Sequence, residues 1–263
     1  MTMISSNGTA YTLTGQENAP VVVLIHGLGL TRDTYRDFLP ALEGSFRVLN
    51  YDLFGHGETC APPEVPTLTT FSEQLNSLLD ELNIAEAALV GFSLGGMINR
   101  RFAMDYPQRV KALVILNSPH ERGEEAQRLV EERAAASDAG GPAATIDATL
   151  ERWFTPTFRR QQHATLEKIR HWVLANDASV YTQCRQVLAA GVVELIRPSP
   201  PIQHPTLVIT CENDSGSTPA MSQAIASEIA GADVIIVPHL QHMGLVEQPG
   251  LFLKPLLKFL NSI

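Results

Sequence analysis

Short apolar runs recur along the chain at 21–25, 46–51, 88–92, 112–116, 207–210 and 234–237. Each is continuous rather than alternating, so each predicts a strand buried on both faces, as in a parallel sheet covered by helices. Amphipathic stretches separate them and predict helices at 31–42, 69–82, 94–106, 219–229 and 249–261. This alternation predicts an α/β fold, a mostly parallel, doubly wound sheet with helices on both faces.

Between Asn117 and Thr206 the rhythm breaks. Roughly ninety residues carry no strand signal and much helix-period material, which predicts an inserted helical cap over 121–204 on a core formed by 1–120 and 205–263. Within the insert, the charged stretch 121–136 reads as a solvated helix and Gly140-Gly141-Pro142 as a break. Stretches 146–153, 158–176 and 178–190 read as further amphipathic pieces, and Pro198-Ser199-Pro200-Pro201 returns the chain to the core.

Candidate chemistry falls where predicted strands end. Gly91-Phe92-Ser93-Leu94-Gly95 lies between an apolar run and an amphipathic stretch, the context of a nucleophile elbow in which the serine hydroxyl is raised above the sheet. A Gly-x-Ser-x-Gly also occurs in ordinary loops, so the order of its partners matters. Asp214 follows the 206–210 run and His242 follows the 233–237 run, giving Ser, Asp, His in chain order. His26-Gly27-Leu28-Gly29 follows the 21–25 run, where a second oxyanion donor belongs. Ser93 is thus the candidate nucleophile, His242 the base, Asp214 the orienting acid, and the N–H groups of Leu28 and Leu94 the oxyanion hole. Glu212 competes with Asp214 and His239 with His242; the end of the strand and the loop length favour the assigned pair. His26 and His56 read as groups satisfying nearby backbone, and His120 as a surface-loop residue. His163, His171 and His204 show no metal-ligand spacing.

These motifs, with Asp52-Leu53-Phe54-Gly55-His56-Gly57 and Thr218-Pro219, resemble the α/β-hydrolase family over nearly the whole chain. The sequences Gly91-Phe92-Ser93-Leu94-Gly95-Gly96-Met97-Ile98, Arg152-Trp153-Phe154-Thr155-Pro156 and His242 to Pro249 resemble its 3-oxoadipate enol-lactonase group of small esterases and lactonases. Two positions depart from the family pattern: Phe54 stands where arginine is usual, and the acid loop is a residue longer than Asp-x-x-Thr-Pro. The resemblance implies hydrolysis of a small carboxylic ester or lactone through an acyl-enzyme, with no metal or organic cofactor. It also makes Arg152 and Trp153 candidate substrate contacts, against the plainer reading of a solvated charge beside a packing aromatic. Alternatives on the same fold are a meta-cleavage C–C hydrolase, a cofactor-free perhydrolase and a triad-bearing small-molecule receptor. The first usually has asparagine before its serine and an aromatic after its histidine, where this chain has Phe92 and Met243.

Composition narrows the partners. A formal net charge of −9 disfavours nucleic acid and anionic membranes. No apolar run approaches the ~20 residues needed to span a bilayer. Cys60, Cys184 and Cys211 show no Cys-x-x-Cys spacing, and the first residues lack a signal-peptide pattern, so a cytoplasmic setting is expected. The expected partner is a small-molecule ester or lactone, with homo-oligomerisation left open.

Overall fold

The structure, a computed structural model, describes residues 1–136 and 141–263. The strands are β1 (Met3–Ile4), β2 (Ala10–Gly15), β3 (Val21–Ile25), β4 (Arg47–Tyr51), β5 (Ala87–Phe92), β6 (Val110–Leu116), β7 (Thr206–Cys211) and β8 (Asp233–Val237). They form one sheet in the order β1-β2-β4-β3-β5-β6-β7-β8. β2 runs antiparallel to both of its neighbours, β1 and β4, and the remaining pairings are parallel. The helices are α1 (Leu39–Leu42), α2 (Leu68–Glu81), α3 (Leu94–Asp105), α4 (Glu124–Ala136), α5 (Ile146–Trp153), α6 (Pro156–Gln161), α7 (His163–Leu174), α8 (Ala178–Ala190), α9 (Pro219–Ser227), α10 (Gly244–Glu247) and α11 (Pro249–Leu260).

Every residue of β5 and β7 is buried, and β3 from Val22 onward is too, so their unbroken apolar runs face helices on both sides. The strand order reverses at β3, with β4 on one side and β5 on the other. β3 and β5 pair with Ile25 opposite Gly91, which brings the loops leaving both strands side by side. Open α/β sheets bind ligands at such a switch point, outside the carboxyl ends of the strands.

Three expectations change. β1 and β2 were not expected: Tyr11-Thr12-Leu13-Thr14 alternates apolar and polar residues and lies at the antiparallel end of the sheet, which the search for continuous apolar runs passes over. The helix expected over 31–42 is two pieces, a 3₁₀ turn at Arg32–Tyr35 and then α1, whose first turn holds Pro40. Proline has no N–H to continue the earlier turn. The piece expected over 158–176 divides at Gln162 into α6 and α7. Of the expected break, Gly140 lies outside the described residues, and Gly141 opens a 3₁₀ turn with φ 54°. The segment between β6 and β7 contributes α4 to α8. Among the described residues, no helix is long and apolar enough to cross a membrane.

Candidate active site

Ser93 joins β5 to α3 with φ 55° and ψ −113°, a backbone state that L-residues avoid unless their surroundings impose it. The surroundings do so through glycine: a Cβ on Gly91 would meet the Gly95 carbonyl, and one on Gly95 would meet the Ile25 carbonyl. The turn can therefore pack directly between β3 and α3. Ser93 N–H donates to Leu116 O at 2.8 Å and Ser118 Oγ donates to Ser93 O at 2.9 Å. The Ser93 hydroxyl has no hydrogen-bond partner among the described residues, and Ser93 lines a cavity of about 600 Å³.

Asp214 and His242 arrive from β7 and β8. His242 Nδ1 lies 2.6 Å from Asp214 Oδ2, which assigns the proton to Nδ1 and leaves Nε2 with its lone pair. The same carboxylate oxygen accepts from Asn117 Nδ2 at 2.9 Å, while Oδ1 accepts the N–H groups of Gly216 and Ser217 at 2.9 and 3.0 Å. Burial alone would raise the Asp214 pKa, but the His242 charge and these donors together outweigh it and hold the carboxyl below its usual value. The longer acid loop therefore still brings Asp214 onto His242. The imidazole lies between Phe92 and Trp153, with ring centroids 4.9 and 6.0 Å away.

The two competing residues pair with each other instead. Glu212 accepts the His239 N–H at 2.8 Å, and the exposed His239 ring lies 3.4 Å from the same carboxylate. Gly27 and Leu28 line the cavity, and a Cβ on Gly27 would lie 3.1 Å from the Ser93 Cβ. Neither the Leu28 nor the Leu94 N–H is taken by another group among the described residues. His26 braces this loop: its Nδ1 is 2.8 Å from Gly27 O and its Nε2 accepts the Leu53 N–H at 3.0 Å.

Two readings change here. His120 is not a surface residue: it is buried between Arg100 Nη1 at 3.3 Å and Glu228 Oε1 at 3.1 Å. The stretch containing α4 is not wholly solvated, since Ala126, Val130 and Ala134, spaced four apart, line the cavity. Arg152 and Trp153 of α5 also line it, as do Tyr181 and Arg185 of α8, which sequence reasoning missed. The i, i+4 spacing of Tyr181 and Arg185 was the available signal. Phe54 occupies the core, and Arg32 from the loop after β3 ion-pairs with the buried Asp52 and with Glu58.

A mostly parallel sheet carrying a strained serine turn at its switch point defines the class of α/β enzymes. Residues 20–135 match the family model described as alpha/beta hydrolase fold. The chain is 27% identical to 3-oxoadipate enol-lactonase 2 of Acinetobacter baylyi, over 92% of this chain and 89% of that protein. It superposes on the crystal structure of the enol-lactonase from Burkholderia xenovorans with TM-score 0.87 and 31% identity, covering 97% of this chain and 98% of that one. A hydrolase from Pseudomonas aeruginosa gives TM-score 0.88 and 30% identity, over 99% and 97% of the two chains. The chain belongs to the α/β-hydrolase family, and it is a hydrolase.

Proposed function

We propose that the protein cleaves a small carboxylic ester or lactone through an acyl-enzyme on Ser93. The observation that carries this reading is the conjunction at one cavity of an unpartnered serine hydroxyl on a strained turn and a hydrogen-bonded Asp214–His242 pair. His242 Nε2 takes the Ser93 proton as Oγ attacks the carbonyl carbon, and the free N–H groups of Leu28 and Leu94 receive the oxyanion. Asp214 stabilises the imidazolium and keeps its tautomer. His242 then protonates the leaving oxygen, and a water deprotonated by the same ring releases the acyl group.

In the same reading 121–204 is the cap over the core, and Arg152 and Trp153 contact substrate. The guanidinium of Arg152 suits a carboxylate on the substrate, which two parallel hydrogen bonds can hold. The names of the enol-lactonase relatives agree with a lactone as substrate. The three cysteines are unpaired, which suits a cytoplasmic setting. Fluorophosphonate labelling tests the nucleophile: intact mass should show one adduct on the native chain and none on Ser93→Ala. An adduct that persists on the variant removes Ser93 from the role.

A further inference from the structure

The cavity wall is cationic in a protein of net charge −9. Arg122, Arg152 and Arg185 all line it, against a single carboxylate, Asp214, which His242 already engages. The Arg152 and Arg185 side chains have neither a hydrogen-bond acceptor nor a carboxylate partner among the described residues. Arg128, Arg159 and Arg170 of α4, α6 and α7 contrast with them, each having a glutamate or aspartate within 3.3 Å. Arg122 is spoken for by neutral groups, donating to Gln127 Oε1 at 2.8 Å and Ala189 O at 3.3 Å.

Arg152 and Arg185 are also close enough to act on each other. Burial disfavours protonation of Arg152, the Asp214 charge partly offsets that, the Arg185 charge disfavours it further, and both arginines act on Tyr181, which lines the same cavity. Two like charges held together, with only the His242-engaged Asp214 carboxylate acting on Arg152, cost free energy, and each bound anion recovers part of it. The two arginines come from different helices, α5 and α8, so one carboxylate per guanidinium is the natural stoichiometry. A guanidinium offers a fork of donors that matches a carboxylate in its own plane.

We infer that the substrate carries two free carboxylates in addition to the acyl group that Ser93 attacks, one held by Arg152 and the other by Arg185. This rests on the hydrolase reading for its acyl group, but the binding of two carboxylates is measurable without turnover. The probes are the diacids succinate, glutarate and adipate, each beside the monoacid of equal chain length: butyrate, pentanoate and hexanoate. Calorimetric titration of the native protein should show at least one diacid binding tenfold or more tighter than its monoacid, with the advantage shrinking as salt is raised.

Arg185→Gln should bring that diacid down to the level of its monoacid, and Arg185→Lys should keep part of the advantage. A diacid seated with one carboxylate in the oxyanion position would be indifferent to Arg185→Gln, and that result overturns the proposal. So does a native protein that binds diacids and monoacids alike, an outcome that needs no variant to fold. Fluorophosphonate labelling separates the two claims. Loss of labelling with the diacid preference intact defeats the Ser93 reading alone, and labelling without the preference defeats the two-carboxylate inference alone.

Discussion

Ser93 keeps φ 55° because Gly91 and Gly95, two residues to either side, let the turn pack without a Cβ clash, and its hydroxyl stays free because no described group competes for it. A residue so placed acts through its partners, so their deletions should not add. Ser93→Ala and His242→Ala should each lower kcat/KM for a p-nitrophenyl ester by roughly 10⁴-fold or more, and the double variant should be little worse than either. Additive losses in steady-state kinetics would mean that the two side chains act separately. Asp214→Asn should be impaired by a comparable factor, because an amide at that oxygen favours the wrong imidazole tautomer. Glu212→Gln, altering a carboxylate that among the described residues meets only the exposed His239, should stay near native activity. These local assignments were legible because each rests on a short motif at the end of an apolar run. Arg185 was not: its neighbours in α8 say only that it shares a face with Tyr181, and that this face is cavity wall depends on α4 and α5 packing opposite.

The tip of α5 is tied to the turn that bears His242. Met243 N–H donates to Trp153 O at 2.9 Å, and Glu247 of α10 accepts both the N–H and the hydroxyl of Thr155, each at 2.7 Å. Gln241 Nε2 adds weaker contacts at 3.3 Å to the carbonyls of Glu151 and Arg152. The two motifs that suggested the enol-lactonase group, Arg152 to Pro156 and His242 to Pro249, are therefore two halves of one joint. No spacing in the chain could reveal that, because the halves are some ninety residues apart and nothing local states that they meet. The joint fixes Trp153 against His242, so α5 cannot swing without moving the imidazole. A double-mutant cycle of Glu247→Ala and Thr155→Val, read by urea denaturation, should give a coupling of about 1–3 kcal/mol, the range for hydrogen bonds to a charged acceptor. A coupling near zero would show that the joint carries no energy in solution. The elements that were misread share a cause with this one: the β1–β2 edge and the divided helices depend on neighbours or on a single proline rather than on the apolar rhythm.

For the whole molecule, the loop that would cradle the oxyanion stands on a buried histidine pair whose titration sets acid stability. His26 is fully enclosed, with Nε2 occupied by the Leu53 N–H and the Asp52 carboxylate 3.9 Å away. His56 packs edge-on against it at 5.4 Å between ring centroids; its Nδ1 lies 2.9 Å from Phe54 O and its Nε2 has no partner among the described residues. Burial lowers their pKa values to about 4 and about 3, with the mutual charge adding to the effect on His56. The unfolded chain takes up these protons near pH 6.5 and the folded one does not, so the unfolded state binds more protons throughout the interval from 6.5 down to the folded values. Stability is therefore full above pH 6.5 and falls as pH drops, by up to about 1.4 kcal/mol per pH unit for each histidine. Most carboxylates titrate lower, so the window between pH 6.5 and 5 reports on this pair together with His120, whose pKa burial and the Arg100 charge also lower. Urea unfolding at pH 7, 6 and 5 should show the decline, and His56→Gln should lower its slope by roughly a third whatever it does to stability at pH 7. A native protein equally stable at pH 7 and 5 would mean that both rings accept a proton in the fold. Protonating His26 displaces the Leu53 N–H from Nε2, loosening the brace whose other end is Gly27 O. Acid should then release the Gly27-Leu28 loop along with the core behind it, and amide exchange of Leu28 and Leu53 should accelerate together as pH is lowered, once corrected for intrinsic rates.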